Sequence, residues 1–245
     1  MRTRSWIGND IVDLAEPGVA GKERDRRFMD RVFTPEERDR ILAAAVPTLA
    51  LWKAWSAKET AFKIASKLRE GVIFAHKAFE VGSEPAAAAG SNLTTAGSLG
   101  QWVSVQFEDL DIRVRWEMAV DYIHCVGQLA RGDAVNAQGA SEPAVRPRRL
   151  LAGILHDSQA LDGILSLAEQ ASVYSTASER ARLLARRLMD RWDLQGAEIV
   201  RMWRAWGWGP PVVAQEGHPV AGFDVSLSHD GRFVATALAG PVLTY

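Results

Sequence analysis

One pattern occurs twice in this 245-residue chain: a long helix-forming segment, then two alternating strands around a tight turn. Asp111 to Ala130 (DIRVRWEMAVDYIHCVGQLA) alternates apolar and polar residues, turns near Val120-Asp121 and alternates again. Phe223 to Ala239 (FDVSLSHDGRFVATALA) does the same around Asp230-Gly231. Asp-Gly between alternating runs marks a two-residue hairpin, because a type I′ turn needs positive φ. Helical periodicity precedes each hairpin, over Leu49 to Lys67 and over Ser178 to Trp192. The repetition predicts an α+β fold, a pseudo-dimer of two related halves, each a long helix packed on a small antiparallel sheet. A parallel α/β sheet is disfavoured, since strand and helix do not alternate regularly. Bland stretches over 82–100 and 131–147 read as a long loop and a linker, and helical signals run from Arg148 to Trp192. The expected division is a first half over 1–131, a linker and helical insert over 132–177, and a second half over 178–245.

Composition narrows the partners. Twenty-nine Lys and Arg against 30 Asp and Glu leave a net charge of −1, so nothing global draws the chain to nucleic acid or to an anionic membrane. Cys125 is the single cysteine and cannot form an internal disulfide. No apolar run reaches the roughly 18 residues of a membrane span. Arg2 and Arg4 are followed by Asn9, Asp10 and Asp13 rather than an apolar signal core. The expectation is a soluble cytoplasmic protein with neither nucleic acid nor membrane as partner.

Two acids stand out against apolar surroundings. In the strand Trp6 to Leu14, side chains alternate faces, so Asp10 shares one with Trp6, Val12 and Leu14. A carboxylate there needs a cation, a metal or hydrogen bonds, unless it merely ends the strand or caps a turn. In the helix Leu49 to Lys67, Trp52, Trp55, Glu59 and Phe62 share a face, with Lys63 one turn beyond Glu59. The plain alternative is a solvated i,i+4 ion pair; the aromatic neighbours argue against it. Two such carboxylates can share one Mg²⁺ that also grips substrate phosphates, which specifies a site for a magnesium pyrophosphate. Ser226, Ser228 and His229 precede the second hairpin turn and are candidate phosphate donors; a lone histidine is more often structural. Arg180, Arg182, Arg186, Arg187 and Arg191 form a positive patch on the second helix, either a solvated face or a receptor for a phosphate or acidic partner. Thr34-Pro35-Glu36-Glu37 forms a capping box, which by itself accounts for Glu37. There is no P-loop, GxGxxG, HExxH or GxSxG motif.

Together these motifs resemble the 4′-phosphopantetheinyl transferase superfamily. Ile7-Gly8-Asn9-Asp10-Ile11-Val12-Asp13-Leu14 is similar to its Gly-x-Asp-Ile-Val-Glu motif, and Phe33-Thr34-Pro35-Glu36-Glu37 to its Phe-(Thr/Ser)-x-x-Glu segment. Trp55-Ser56-Ala57-Lys58-Glu59-Thr60-Ala61-Phe62-Lys63 resembles its most specific signature, Trp-x-x-Lys-Glu-(Ala/Ser)-x-x-Lys. Ser226-Leu227-Ser228-His229 looks like its Ser-x-Ser-His motif, and Gly217-His218-Pro219 like the preceding Gly-Lys-Pro. The order of the halves is reversed relative to the two-half surfactin-type enzyme, as in a circular permutation, and the N-terminal motifs are like holo-acyl-carrier-protein synthase. Val12 stands where the two-half type carries a third metal-binding acid, and the short type has valine there.

The resemblance implies transfer of phosphopantetheine from coenzyme A to a serine of an acyl or peptidyl carrier protein, releasing 3′,5′-ADP, by a monomer using Mg²⁺ or Mn²⁺. It implies Asp10 and Glu59 as metal ligands. It makes Lys63 a phosphate ligand and a proton donor to the leaving oxygen, and Glu37 or a metal-bound water the base. Lys58, Ser228, His229, His218 and Arg182 would contact coenzyme A. Arg24, Arg27 and Arg31 would meet the acidic helix of a carrier protein. The competing reading is a non-catalytic homologue that binds coenzyme A or a carrier protein and leaves the serine unmodified.

Overall fold

Both halves of the chain converge on its first strand, β1 (Ser5–Asp13). The computed structural model describes residues 5–83, 100–130, 149–156, 159, 161–192, 194, 196–205 and 207–241. With β2 (Glu80–Val81), β3 (Val103–Phe107), β4 (Leu110–Met118) and β5 (Tyr122–Ala130), β1 forms a five-stranded antiparallel sheet in the order β1-β5-β4-β3-β2. Three α-helices separate β1 from β2: α1 (Arg26–Val32), α2 (Pro35–Ala43) and α3 (Pro47–Leu68). Pro35 opens α2 behind the capping box of Thr34 and Glu37, as the motif predicts. The apolar stripe Ala57, Ala61, Ile64 and Ala65 of α3 packs on Val12, Ile112, Val114, Trp116 and Ile123 of the sheet. Gly8 permits that approach: a Cβ there would lie 2.4 Å from the Thr60 carbonyl oxygen.

The second half contributes β6 (Arg149–His156), α4 (Leu167–Gln170), α5 (Thr176–Met189), β7 (Glu198–Arg204), β8 (Gly207–Gln215), β9 (His218–Pro219), β10 (Asp224–Asp230) and β11 (Phe233–Gly240). They form two three-stranded sheets, β10-β11-β6 and β7-β8-β9. Helix α5 covers one face of the first with Ala181, Leu184, Ala185 and Met189, against Leu155, Val225, Val234 and Leu238. The opposite face, with Phe233, Ala235, Ala237 and Ala239, packs on Ile7, Ile11 and Val126 of the five-stranded sheet. The molecule is α+β, and each long helix lies on an antiparallel sheet.

Two expectations need correction. Residues 149–156, expected to be helical within an insert, form a strand on the free edge of β11. The run Arg149-Leu150-Leu151-Ala152-Gly153-Ile154-Leu155-His156 is too short and too uniformly apolar for its periodicity to separate strand from buried helix, and the edge supplies the missing partner. The insert of 132–177 therefore contains a strand of the second half's sheet. The second hairpin turns one residue later than expected: Asp230 still pairs with Phe233, leaving Gly231-Arg232 as the turn. Gly231 has φ 48°. A Cβ there would lie 2.5 Å from Asp13 Oδ2 and from Glu16 Oε1. Most of the expected 82–100 loop and the whole 131–147 linker lie outside the described residues.

Candidate active site

An edge strand leaves every second N–H and C=O without a ladder partner. On β1 four of these N–H groups and two of the carbonyls are met by side chains. The N–H groups of Ile7, Asn9, Ile11 and Asp13 donate to Asp224 Oδ2 (2.7 Å), Ser226 Oγ (3.0 Å), Ser228 Oγ (3.0 Å) and Asp230 Oδ2 (2.8 Å). Each pair is 217 residues apart, so β10 runs parallel to β1 and presents one acceptor per rung. The carbonyls of Asn9 and Ile7 accept from Lys63 Nζ (2.8 Å) and Lys67 Nζ (2.7 Å) of α3. Four residues of helix advance about 6 Å and two residues of strand about 6.6 Å, so lysines one turn apart match alternate carbonyls. Lys67 is buried and also donates to both Asp224 oxygens and to Val225 O.

This docking sets Asp10 beside Glu59. Both line a hollow of about 530 Å³ with Trp52, Trp55, Lys63 and Ser228. Lys63 Nζ donates to Asp10 Oδ1 (2.9 Å), and Ser228 Oγ donates to the same oxygen (3.0 Å). Burial, then the Asp10 charge, push the Glu59 carboxyl up to about 7, with Lys63 opposing. Two carboxylates facing each other in a half-buried hollow are the arrangement a cation relieves.

A second hollow, of about 430 Å³, adjoins the first; Lys63, Tyr174, Leu227 and His229 line both. Its walls come from α3, α5 and the β7–β8 hairpin, and they carry Arg182, Arg201, Arg204 and Trp208. Arg182 is buried and anchored by Ser178 and Ser172, with Nη1 2.7 Å from Ser178 Oγ and Nη2 2.9 Å from Ser172 Oγ. Among the described residues its Nε has no hydrogen-bond partner. Burial and the neighbouring Arg201 charge lower its proton affinity, so two cations press on each other in a recess open to an anion. His229 Nε2 lies 3.1 Å from the Tyr174 hydroxyl. Burial and then the Lys63 charge lower the imidazole's proton affinity, with Asp10 opposing.

The structure brings Asp10, Glu59, Lys63, Ser228, His229 and Arg182 to these two hollows. It does not bring the other three. Lys58 and Glu37 form a buried pair beneath α3, with Nζ 2.7 Å from Oε1, and Lys58 also donates to Phe79 O (2.6 Å). Glu37 further accepts the N–H of Thr34 (2.9 Å) and of Val81 (2.8 Å). With these partners neither reaches the hollows; they join α2, α3 and β2. His218 is exposed on β9, and Gly209, Pro210 and Pro211 of β8 line the cleft instead. Tyr174, Arg201, Arg204 and Trp208 escaped the sequence reading. Arg201, Arg204 and Trp208 sit around a tight hairpin whose placement depends on the whole sheet, and Tyr174 lies in the short connection between α4 and α5, which has no periodic signal.

Among the described residues no three His, Cys, Asp or Glu side chains form a metal cage. The donor set is two carboxylates, which fits a hard cation that completes its shell with water and phosphate oxygens. Residues 7–121 match the family model of the 4′-phosphopantetheinyl transferase superfamily. That stretch holds Asp10, Glu59 and Lys63 and ends before β6. No curated protein matches the chain.

Proposed function

On the match of residues 7–121 to the 4′-phosphopantetheinyl transferase superfamily model, we propose that this protein transfers phosphopantetheine from coenzyme A to a serine of an acyl or peptidyl carrier protein. The observation that carries the reading is the pairing of Asp10 with Glu59 in a hollow continuous with an arginine-lined cleft. The cleft would take the nucleotide end of coenzyme A, with Arg182 and Arg201 on its 3′-phosphate. Lys63 and His229, on the wall common to both hollows, would hold the pyrophosphate. The halves are then the permuted pair expected from the motif order, meeting at one site along β1 and β10.

The reaction forms a bond from the serine oxygen to the β-phosphorus and breaks the bridging P–O bond, releasing 3′,5′-ADP. Asp10 and Glu59 would hold Mg²⁺, which supplies charge stabilisation to the pyrophosphate. Glu37 is fastened to Lys58 outside the hollow, so Glu59, which lines the hollow beside Asp10, is the carboxylate placed to accept the serine proton. Lys63 would place a proton donor near the leaving oxygen. Arg24, Arg27 and Arg31 are exposed around α1, where an acidic carrier helix would find positive charge.

Incubation with coenzyme A, Mg²⁺ and a panel of apo carrier proteins, read by intact mass, tests the reading. The expected result is a phosphopantetheine adduct on at least one carrier, lost by about two orders of magnitude or more in Asp10→Ala and Glu59→Ala. Coenzyme A binding with every carrier left unmodified would establish the non-catalytic homologue instead.

A further inference from the structure

Resting on that reading, we propose that Ser228 is a positioning residue for the metal-binding carboxylate Asp10, tying that carboxylate to the docking of β10 on β1. Ser228 is 6% exposed, and two protein groups use its hydroxyl. The Ile11 N–H donates to Ser228 Oγ at 3.0 Å, and Ser228 Oγ donates to Asp10 Oδ1 at 3.0 Å. A hydroxyl has one proton to give, so a serine that gives it to a carboxylate has none for a phosphate oxygen. Lys63 Nζ binds the same Oδ1 at 2.9 Å. Two donors on Oδ1 fix the plane of the carboxylate and leave Oδ2 as the oxygen without a hydrogen bond among the described residues. Carboxylates that ligate metals are commonly held this way, and loss of such a support weakens metal affinity about 10–100-fold.

The ladder contains its own control. Ser226 accepts the Asn9 N–H at 3.0 Å, as Ser228 accepts that of Ile11, and among the described residues its hydroxyl has no bond to a carboxylate. Removing Ser226 therefore weakens docking alone; removing Ser228 weakens docking and frees Asp10.

Mn²⁺ serves as the probe, titrated by electron paramagnetic resonance into the full chain with coenzyme A present, alongside thermal melts and the KM for coenzyme A at saturating metal. Ser228→Ala is expected to weaken Mn²⁺ binding by about 10–100-fold with that KM unchanged. Ser226→Ala should lower the melting temperature and leave Mn²⁺ affinity as in the parent. Ser228→Thr, which keeps the hydroxyl, should restore most of the lost affinity. Unchanged Mn²⁺ affinity with a raised KM in Ser228→Ala would make Ser228 a phosphate ligand and overturn the proposal. Equal loss in Ser226→Ala would reduce the effect to docking and overturn it as well. A parent that transfers phosphopantetheine while Ser228→Ala keeps its cation affinity sinks the positioning role alone. A parent that binds no Mn²⁺ and modifies no carrier sinks the transferase reading with it.

Discussion

Glu59 is held folded at a cost in its ionised form. Its carboxyl takes a proton at about 7 in the folded chain against an ordinary value of 4.5, so the folded state binds the proton more tightly than the unfolded one. The sign follows from linkage: this contribution is intact below about pH 4.5 and is lost as pH rises through 7. Without divalent cation at pH 8, Glu59→Gln is therefore expected to be more stable than the parent, by roughly 1–3 kcal/mol, with the difference closing at pH 4. Thermal melts at both values check it. Mg²⁺ with coenzyme A should reverse the ranking at pH 8, because a ligand stabilises only the chain that binds it. The conflict was legible in sequence as an acid in an aromatic stripe. The fate of Lys58 and Glu37 was not, since the backbone groups that hold them in place, at Phe79 and Val81, arrive from a different part of the chain.

Among the elements, α3 and β1 were the most readable, and their fit depends on small residues. Gly8→Ala would place a methyl group 2.4 Å from the Thr60 carbonyl, a backbone atom that yields only if the helix shifts. The expected loss is about 1–3 kcal/mol in urea unfolding, with weakened cation binding, since Glu59 rides on the same helix. The capping box of α2 and the alternation of β4 and β5 were equally plain, because both signals are local. β6 was not, because an apolar run has no face to reveal until a neighbour is known. The alternating Asp224, Ser226, Ser228 and Asp230 were visible as spaced polar residues. Their partners are main-chain amides, which leave no trace in a sequence, and so Ser226 and Ser228 read as phosphate donors.

At the scale of the molecule, the junction between the sheets is acid-sensitive. Arg232 donates to both Asp13 oxygens, at 2.8 and 2.7 Å, and holds that carboxyl down at about 2 against an ordinary 3.8. Its contribution is present above pH 4 and is lost as pH falls through 2. His124, buried beside Asn9 with Nε2 3.1 Å from Nδ2, is pushed down to about 3 by burial and then by the Lys63 charge. A neutral histidine of this kind favours the fold above pH 6.5 and loses its contribution as pH falls from there toward 3. In a Glu59→Gln background, which removes the opposing titration of that carboxyl, circular dichroism against pH should show stability declining from about pH 6 downward. His124→Phe is expected to flatten the decline between pH 6 and 4, and Asp13→Asn to remove the steeper fall below it. The rungs along β1 carry a different consequence. One strand supplies only amide hydrogens, which any residue but proline provides, while the other must supply an oxygen at every second position. For the rungs themselves the demand is one-sided: any residue but proline keeps the amide at positions 7, 9, 11 and 13, whose side chains answer to the core, to His124 and to Arg232 instead, whereas the facing positions of β10 admit only short acceptor side chains.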